Sequence, residues 1–201
     1  TSKGPLKRFA NTDMESLAPC RLRDHFGLKK NQALFGDCGA FSYVNEPEPL
    51  ISVEQAIANY ELHAFDYGAS VDHIPVPFVE RNGKKVMLSP AKRRERIRVT
   101  VENAERFITL AQKRNAGFIP IGTVQGASPQ EYARTVKHYH ELGYQHMALG
   151  GLVPLPDAVV AEIVKAVMPV VEKLRPRPWI HLFGIFRPKL QPLFRALKVD
   201  S

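Results

Sequence analysis

Five short stretches carry side chains able to do chemistry. Asp37 closes the apolar run Ala33–Asp37 (ALFGD), and Asp72 with His73 closes Ala69–Ile74 (ASVDHI). Gln125-Gly126 follows IGTV, Gly150-Gly151 follows HMAL, and Phe183-Gly184 sits within Trp179–Ile185 (WIHLFGI). Each lies near the C-terminal end of a strand candidate, where parallel α/β folds gather their ligands. Carboxylates accept from N–H donors, Gln125 gives and accepts, and glycines admit close backbone approach. Phe41 and Phe183 are placed to sandwich a ring. Such a set suits a small, polar, planar ligand. Neither GxGxxG nor GxxxxGK[ST] occurs, so nothing points to a dinucleotide or a P-loop.

Plainer readings exist for each residue. Asp37 before Cys38-Gly39 also fits a turn cap, and Asp72 a strand-end ion partner. Phe41 and Phe183 also fit a core, and Cys38 a small buried residue. His63, His73, His138, His140, His146 and His181 are scattered, and none is assigned to a metal. His138 and His140, two apart on a helix, do not face one another.

The elements that must position these residues alternate. Helical spacing runs over Val53–Phe65 with Ser52 as N-cap, then over Ala91–Asn115, Pro129–Leu142, Pro156–Leu174 and Lys189–Leu197. Pro129 opens its helix at the first turn, and Gly143 closes it. Between the helices lie the apolar runs above, together with Gly117–Val124 and His146–Leu149. Pro75 and Pro77 end the Asp72 run, and a loop with an Asn82-Gly83 turn is predicted over Phe78–Pro90. Val199 starts a further strand. About five strand–helix units of this kind imply a parallel α/β sheet in a single domain over residues 1–201. A complete (β/α)₈ barrel needs roughly 250 residues. A barrel here is therefore expected to be incomplete.

The 201 residues carry 28 Lys plus Arg against 20 Asp plus Glu, a formal charge of +8. That balance suits a polyanion such as nucleic acid. Lys92, Arg93, Arg94, Arg96 and Arg98 crowd the start of one helix, where they oppose its dipole. Lys92, Arg93, Arg94 and Arg96 are the candidate contacts to a phosphate backbone. No apolar run approaches a membrane span, and the start TSKGPLKRFANTD shows no apolar leader. Cys20 and Cys38 form no CxxC pair. A cytoplasmic protein with reduced thiols is expected.

Four runs in order resemble the tRNA-guanine transglycosylase family. They are Asp37-Cys38-Gly39-Ala40-Phe41, Val124-Gln125-Gly126-Ala127, Gly150-Gly151-Leu152 and Leu182–Pro188. They correspond to that family's DSGGF, VQGG, GGL and LMGVGTP, while Val71-Asp72-His73 corresponds to its FDE. The resemblance covers roughly residues 20–201. It implies a (β/α)₈ barrel that exchanges guanine for a 7-deazaguanine through a covalent Asp–sugar intermediate. By resemblance, Asp37 is the general acid/base and Asp72 reads the guanine-like edge. Gln125, Gly126, Gly150 and Gly151 hold the exocyclic side. Phe41 and Phe183, with Gly184 beside the latter, cover the two faces. Asp200 matches the first Asp of the family's IDMFD run, so the nucleophile is expected past Ser201. Asp200 itself takes that role if the register slips. The family's zinc is expected too, with ligands outside this chain.

Several positions depart from the tRNA-enzyme pattern: Cys38 for Ser, Ala40 for Gly, His73 for Glu, Phe183 for Met, and Val153-Pro154-Leu155 after GGL. They resemble the branch that inserts 7-deazaguanines such as 7-cyano-7-deazaguanine into DNA. The expected partners are DNA, or alternatively tRNA, a 7-deazaguanine base, and a helper protein or second copy. Three other readings stay open. They are the tRNA enzyme of the queuosine or archaeosine pathway, a non-catalytic barrel subunit binding nucleic acid, and an unrelated barrel enzyme acting on a small phosphorylated metabolite.

Overall fold

A computed structural model describes residues 22–201. Cys20 and the N-terminal stretch read for a leader lie outside the described residues. The chain runs α1 (Leu22–His25), β1 (Phe35–Gly36), a 3₁₀ turn (Ala40–Tyr43), α2 (Val53–Leu62) and β2 (Tyr67–Ala69). A hairpin of β3 (Phe78–Arg81) and β4 (Lys84–Met87) precedes the long α3 (Pro90–Arg114). Then come β5 (Ile119–Val124), α4 (Pro129–Glu141), β6 (His146–Leu149), α5 (Asp157–Val171) and β7 (Trp179–Leu182). A 3₁₀ turn (Pro188–Leu190) and α6 (Gln191–Ala196) follow.

Helix starts are chemically marked. The Ser52 hydroxyl accepts from the Gln55 N–H while the Gln55 side chain accepts from the Ser52 N–H, a reciprocal capping box. Ser89 and Ser128 cap α3 and α4, each followed by proline at the first turn. Gly143, just past α4, takes φ +100°, a conformation that L side chains avoid.

Five strands form one parallel sheet in the order β1-β2-β5-β6-β7. Its curvature follows from its rings. A flat sheet would hold its two edge strands about 19 Å apart, at about 4.8 Å per neighbour. Yet Phe35 on β1 lies 5.5 Å, centroid to centroid, from His181 on β7. The sheet is therefore curled into a half-barrel. Phe35, Tyr67, His146, Trp179 and His181 touch one another along its concave side. Most of the apolar core lies between helices and sheet. Tyr132, Tyr139, Met147, Val160, Val164 and Ile180 build the larger cluster, and Ile57, Tyr60, Val71, Phe107 and Phe118 the smaller.

The predicted loop over Phe78–Pro90 is instead an antiparallel hairpin, paired Phe78↔Met87 through Arg81↔Lys84. Asn82 (φ +52°) and Gly83 (φ +72°) turn it. Positive φ at both central residues gives the twist that a two-residue hairpin needs. Strands also end earlier than the apolar runs, so Asp72 and Phe183 stand just beyond β2 and β7. The predicted continuation at Val199 lies along β7. The Asp200 and Ser201 N–H groups donate to the Ile180 carbonyl, and the Leu182 N–H donates to that of Ser201.

Candidate active site

Asp72 is the centre of the site. It is 4 % exposed. The Gln125 amide donates to its Oδ2 at 2.6 Å, and the Cys38 thiol donates to its Oδ1 at 3.1 Å. The Tyr43 hydroxyl donates to the Asp72 carbonyl at 2.9 Å and lies 3.3 Å from the Cys38 sulfur. Burial pushes the Asp72 carboxyl up to about 6, against the lowering by its Cys38 and Gln125 partners. The same burial, then the Asp72 and Asp37 charges, raise the Cys38 thiol. Cys38 is thus a neutral donor aimed at Asp72, not a thiolate.

The glycine pair serves Gln125. A Cβ on Gly150 would stand 2.4 Å from Gln125 Nε2, and one on Gly151 2.4 Å from Oε1. Gly151 also holds φ +69°, which L residues rarely adopt. Only bare backbone lets the Gln125 amide lie flat against residues 150–151. Its Oε1 has no donor among the described residues. The Tyr132 hydroxyl donates to the Gly150 carbonyl at 2.8 Å and so fixes this wall. A Cβ on Gly126 would meet that same ring at 2.7 Å.

Asp37 is exposed at the end of β1, and its Oδ1 accepts from the Gly39 N–H at 3.2 Å. The turn-cap reading is therefore true, and it leaves the second oxygen open. Burial raises the Asp72 carboxyl and lowers His181, and the Asp37 charge acts upward on both, so Asp37 stands near both groups. Phe183 packs edge-on against Phe35 and His181 at the mouth formed by the strand ends. Phe41 is 59 % exposed on the 3₁₀ turn. It makes no ring contact among the described residues.

Other candidates fall elsewhere. Asp200 is held by Arg177 at 3.0 and 3.1 Å and accepts from the Ile180 N–H at 2.8 Å. These partners sit at the start of β7, whereas the mouth lies at strand ends. Asp200 is thus a structural ion partner, and the slipped-register role does not fit its position. Of the basic run, Arg96 is 6 % exposed. It donates to the Val44, Ile74 and Glu46 carbonyls. Those bonds use its fork, so it offers no backbone contact of its own. Arg93 donates to the Pro75 carbonyl. Lys92 and Arg94 are exposed without ion pairs among the described residues. No group of three His, Cys, Asp or Glu able to hold a metal occurs among the described residues. They therefore do not fit a zinc site.

Sequence reasoning missed three supports: the Cys38 thiol as a donor, Tyr43 and Tyr132. Only Cys38 left a trace, as a departure within the run Asp37–Phe41.

Fold and site together define a parallel α/β protein with a planar hydrogen-bonding site at its strand ends. No family model matches the chain. It is 34 % identical over 183 residues to the DNA-guanine transglycosylase of Salmonella montevideo, covering 90 % of this chain and 42 % of that protein. It is 24 % identical over 172 residues to the tRNA-guanine(15) transglycosylase of Methanococcus aeolicus, covering 85 % of this chain and 25 % of that protein. The chain thus spans less than half the length of these curated relatives. It belongs to the tRNA-guanine transglycosylase superfamily. No helix among the described residues is long and apolar enough to cross a membrane.

Proposed function

We propose that the protein is a pentosyltransferase that exchanges guanine in DNA for a 7-deazaguanine such as 7-cyano-7-deazaguanine. The proposed scaffold is a (β/α)₈ barrel to which the curled sheet contributes. One observation carries the reading: a buried carboxylate and carboxamide, Asp72 and Gln125, bonded to each other at strand ends. A guanine-like edge offers N–H donors. Asp72 has lone pairs beyond those that its two partners use, and Gln125 Oε1 lacks a donor among the described residues. Similarity to the Salmonella protein supports DNA as the polymer.

The proposed chemistry follows the retaining glycosidase pattern. The target nucleotide leaves the stack so that C1′ is reached. A carboxylate attacks C1′, the bond from C1′ to N9 breaks, and guanine departs with a proton from Asp37. The incoming base then loses its N9 proton to Asp37. Its N9 attacks C1′ and the carboxylate is released. Asp200, engaged by Arg177, does not serve as that carboxylate. No step runs through zinc.

The test is exchange of labelled guanine into DNA by the whole natural polypeptide. Asp37→Asn is expected to lose exchange by at least a hundredfold, the usual scale for a general acid/base, with DNA affinity unchanged. Equal exchange by the variant refutes the assignment. A second reading, with tRNA as the polymer, is favoured by similarity to the archaeal protein, and tRNA is the parallel substrate in that assay.

A further inference from the structure

Beside buried Asp72 lies a cavity of about 490 Å³. One peptide joins it to the Asp72–Gln125 pair. Asp72 turns to Gln125, and the next residue, His73, lines this cavity. Its walls come from residues 47–51, from Arg81 and Leu88 flanking β4, and from the first half of α3. The size admits a nucleotide unit.

The charges around it do not balance. Arg81, Lys92, Arg96 and Arg98 face Glu48 and Glu95 across the opening. Arg98 is already bound by Glu95 and Glu102, which spends Glu95. Arg96 is bonded to three carbonyls and no carboxylate. Arg81 and Lys92 are exposed and make no ion pair among the described residues. Burial, and then the like charge of nearby Arg81, lower the proton affinity of Arg96. Among the described residues lining it, Glu48 is the one unspent carboxylate against three cations. The Ser89-capped start of α3 adds its dipole at Lys92. Cations fixed around a concavity attract an anion.

The hairpin extends this edge. It carries Lys84 and Lys85, and it exposes Phe78 (39 %), Val86 (40 %) and Met87 (72 %). The Lys85 ammonium sits 4.7 Å above the Phe78 ring. Cations beside exposed apolar and aromatic groups are the means by which proteins track a single strand.

We infer that this cavity is a phosphodiester site for the strand flanking the extruded nucleotide. Arg81 and Lys92 are the paired donors, buried Arg96 is a fixed charge, and the β3–β4 hairpin is the clamp. This inference rests on the transglycosylase reading.

The experiment measures affinity of the whole natural polypeptide for fluorescent duplex DNA and for tRNA across a potassium chloride series. The variants are Arg81→Gln/Lys92→Gln, Lys92→Gln alone, and a charge-matched control, Lys137→Gln/Lys165→Gln. One lost phosphate contact is expected to lower the salt slope by about 1. Affinity is expected to fall about tenfold, with the control like wild type. Lys92→Gln relieves an unfavourable dipole contact, so it is expected to fold and to show part of the same change. Wild-type binding with the double variant matching the control overturns the cavity assignment and leaves the transglycosylase reading. Salt-independent binding, or none, to both polymers by wild type overturns both.

Discussion

Asp72→Asn is expected to make the protein more stable at neutral pH while removing base recognition. The Asp72 carboxyl rises from 3.8 to about 6 on folding. At about 1.36 kcal/mol per pH unit, that corresponds to about 3 kcal/mol. The sign follows from proton counts. Between pH 3.8 and about 6 the unfolded chain has lost this proton and the native state has kept it. Stability from this group therefore falls as pH rises through that window, and the full penalty stands above it. Asparagine has no such dependence, and its oxygen still accepts from Gln125. Urea unfolding of both proteins from about pH 4 to about pH 8 measures the difference. The advantage of the variant is expected to grow by up to about 3 kcal/mol, or roughly 6–12 °C in Tm for a chain this size. His73, held down to about 4 by burial and by Arg96, has the opposite dependence. Its unfolded form binds the proton first, so it adds stability as pH rises. Both proteins share that contribution, and it cancels in the difference. A difference that is flat or shrinks with pH refutes Asp72 as a buried charge.

Four further substitutions probe the site and the elements around it. Gly151→Ala places a Cβ 2.4 Å from Gln125 Oε1 at φ +69°. It is expected to cost about 1–3 kcal/mol by urea unfolding and to weaken base binding in calorimetry. Cys38→Ser keeps a donor to Asp72 and is expected to retain base affinity. Cys38→Val removes it and is expected to raise the Asp72 carboxyl further, read by carboxyl NMR titration. Arg96→Met strands the carbonyls of Val44, Ile74 and Glu46. It is expected to lower stability by about 3 kcal/mol, on the scale of losing buried charged bonds.

The parallel α/β pattern, and the strand-end placement of several polar residues, were legible for one reason. Apolar runs separated by capped amphipathic helices mark parallel units, and such units put Asp37, Asp72, Gln125 and Gly150-Gly151 at one end. The hairpin was not legible because its strands face water. In Phe78–Met87 only Val79 is buried, so no alternation against a core shows. The motif register places Asp200 one Asp before the nucleophile and leaves the slipped reading open, because a register does not say which end of a strand its residue reaches. Arg177 decides that in three dimensions. Arg96 stood within a run of cations, yet its spacing with Thr100 and Ala104, both fully buried, puts it on the inner face of α3. That periodicity separates a structural arginine from its solvated neighbours. Tyr132 gave no signal, since a tyrosine on an apolar helix stripe reads as core whether or not its hydroxyl holds a site wall.

The central claim is base exchange in DNA, and nucleoside mass spectrometry tests it most directly. The whole natural polypeptide is incubated with 7-cyano-7-deazaguanine and either duplex DNA or tRNA, and each polymer is digested to nucleosides. A 7-deazaguanine nucleoside in DNA, lost in Asp37→Asn, is the expected result. The nucleoside in tRNA alone contradicts the choice of polymer. Its absence from both contradicts the exchange reaction itself.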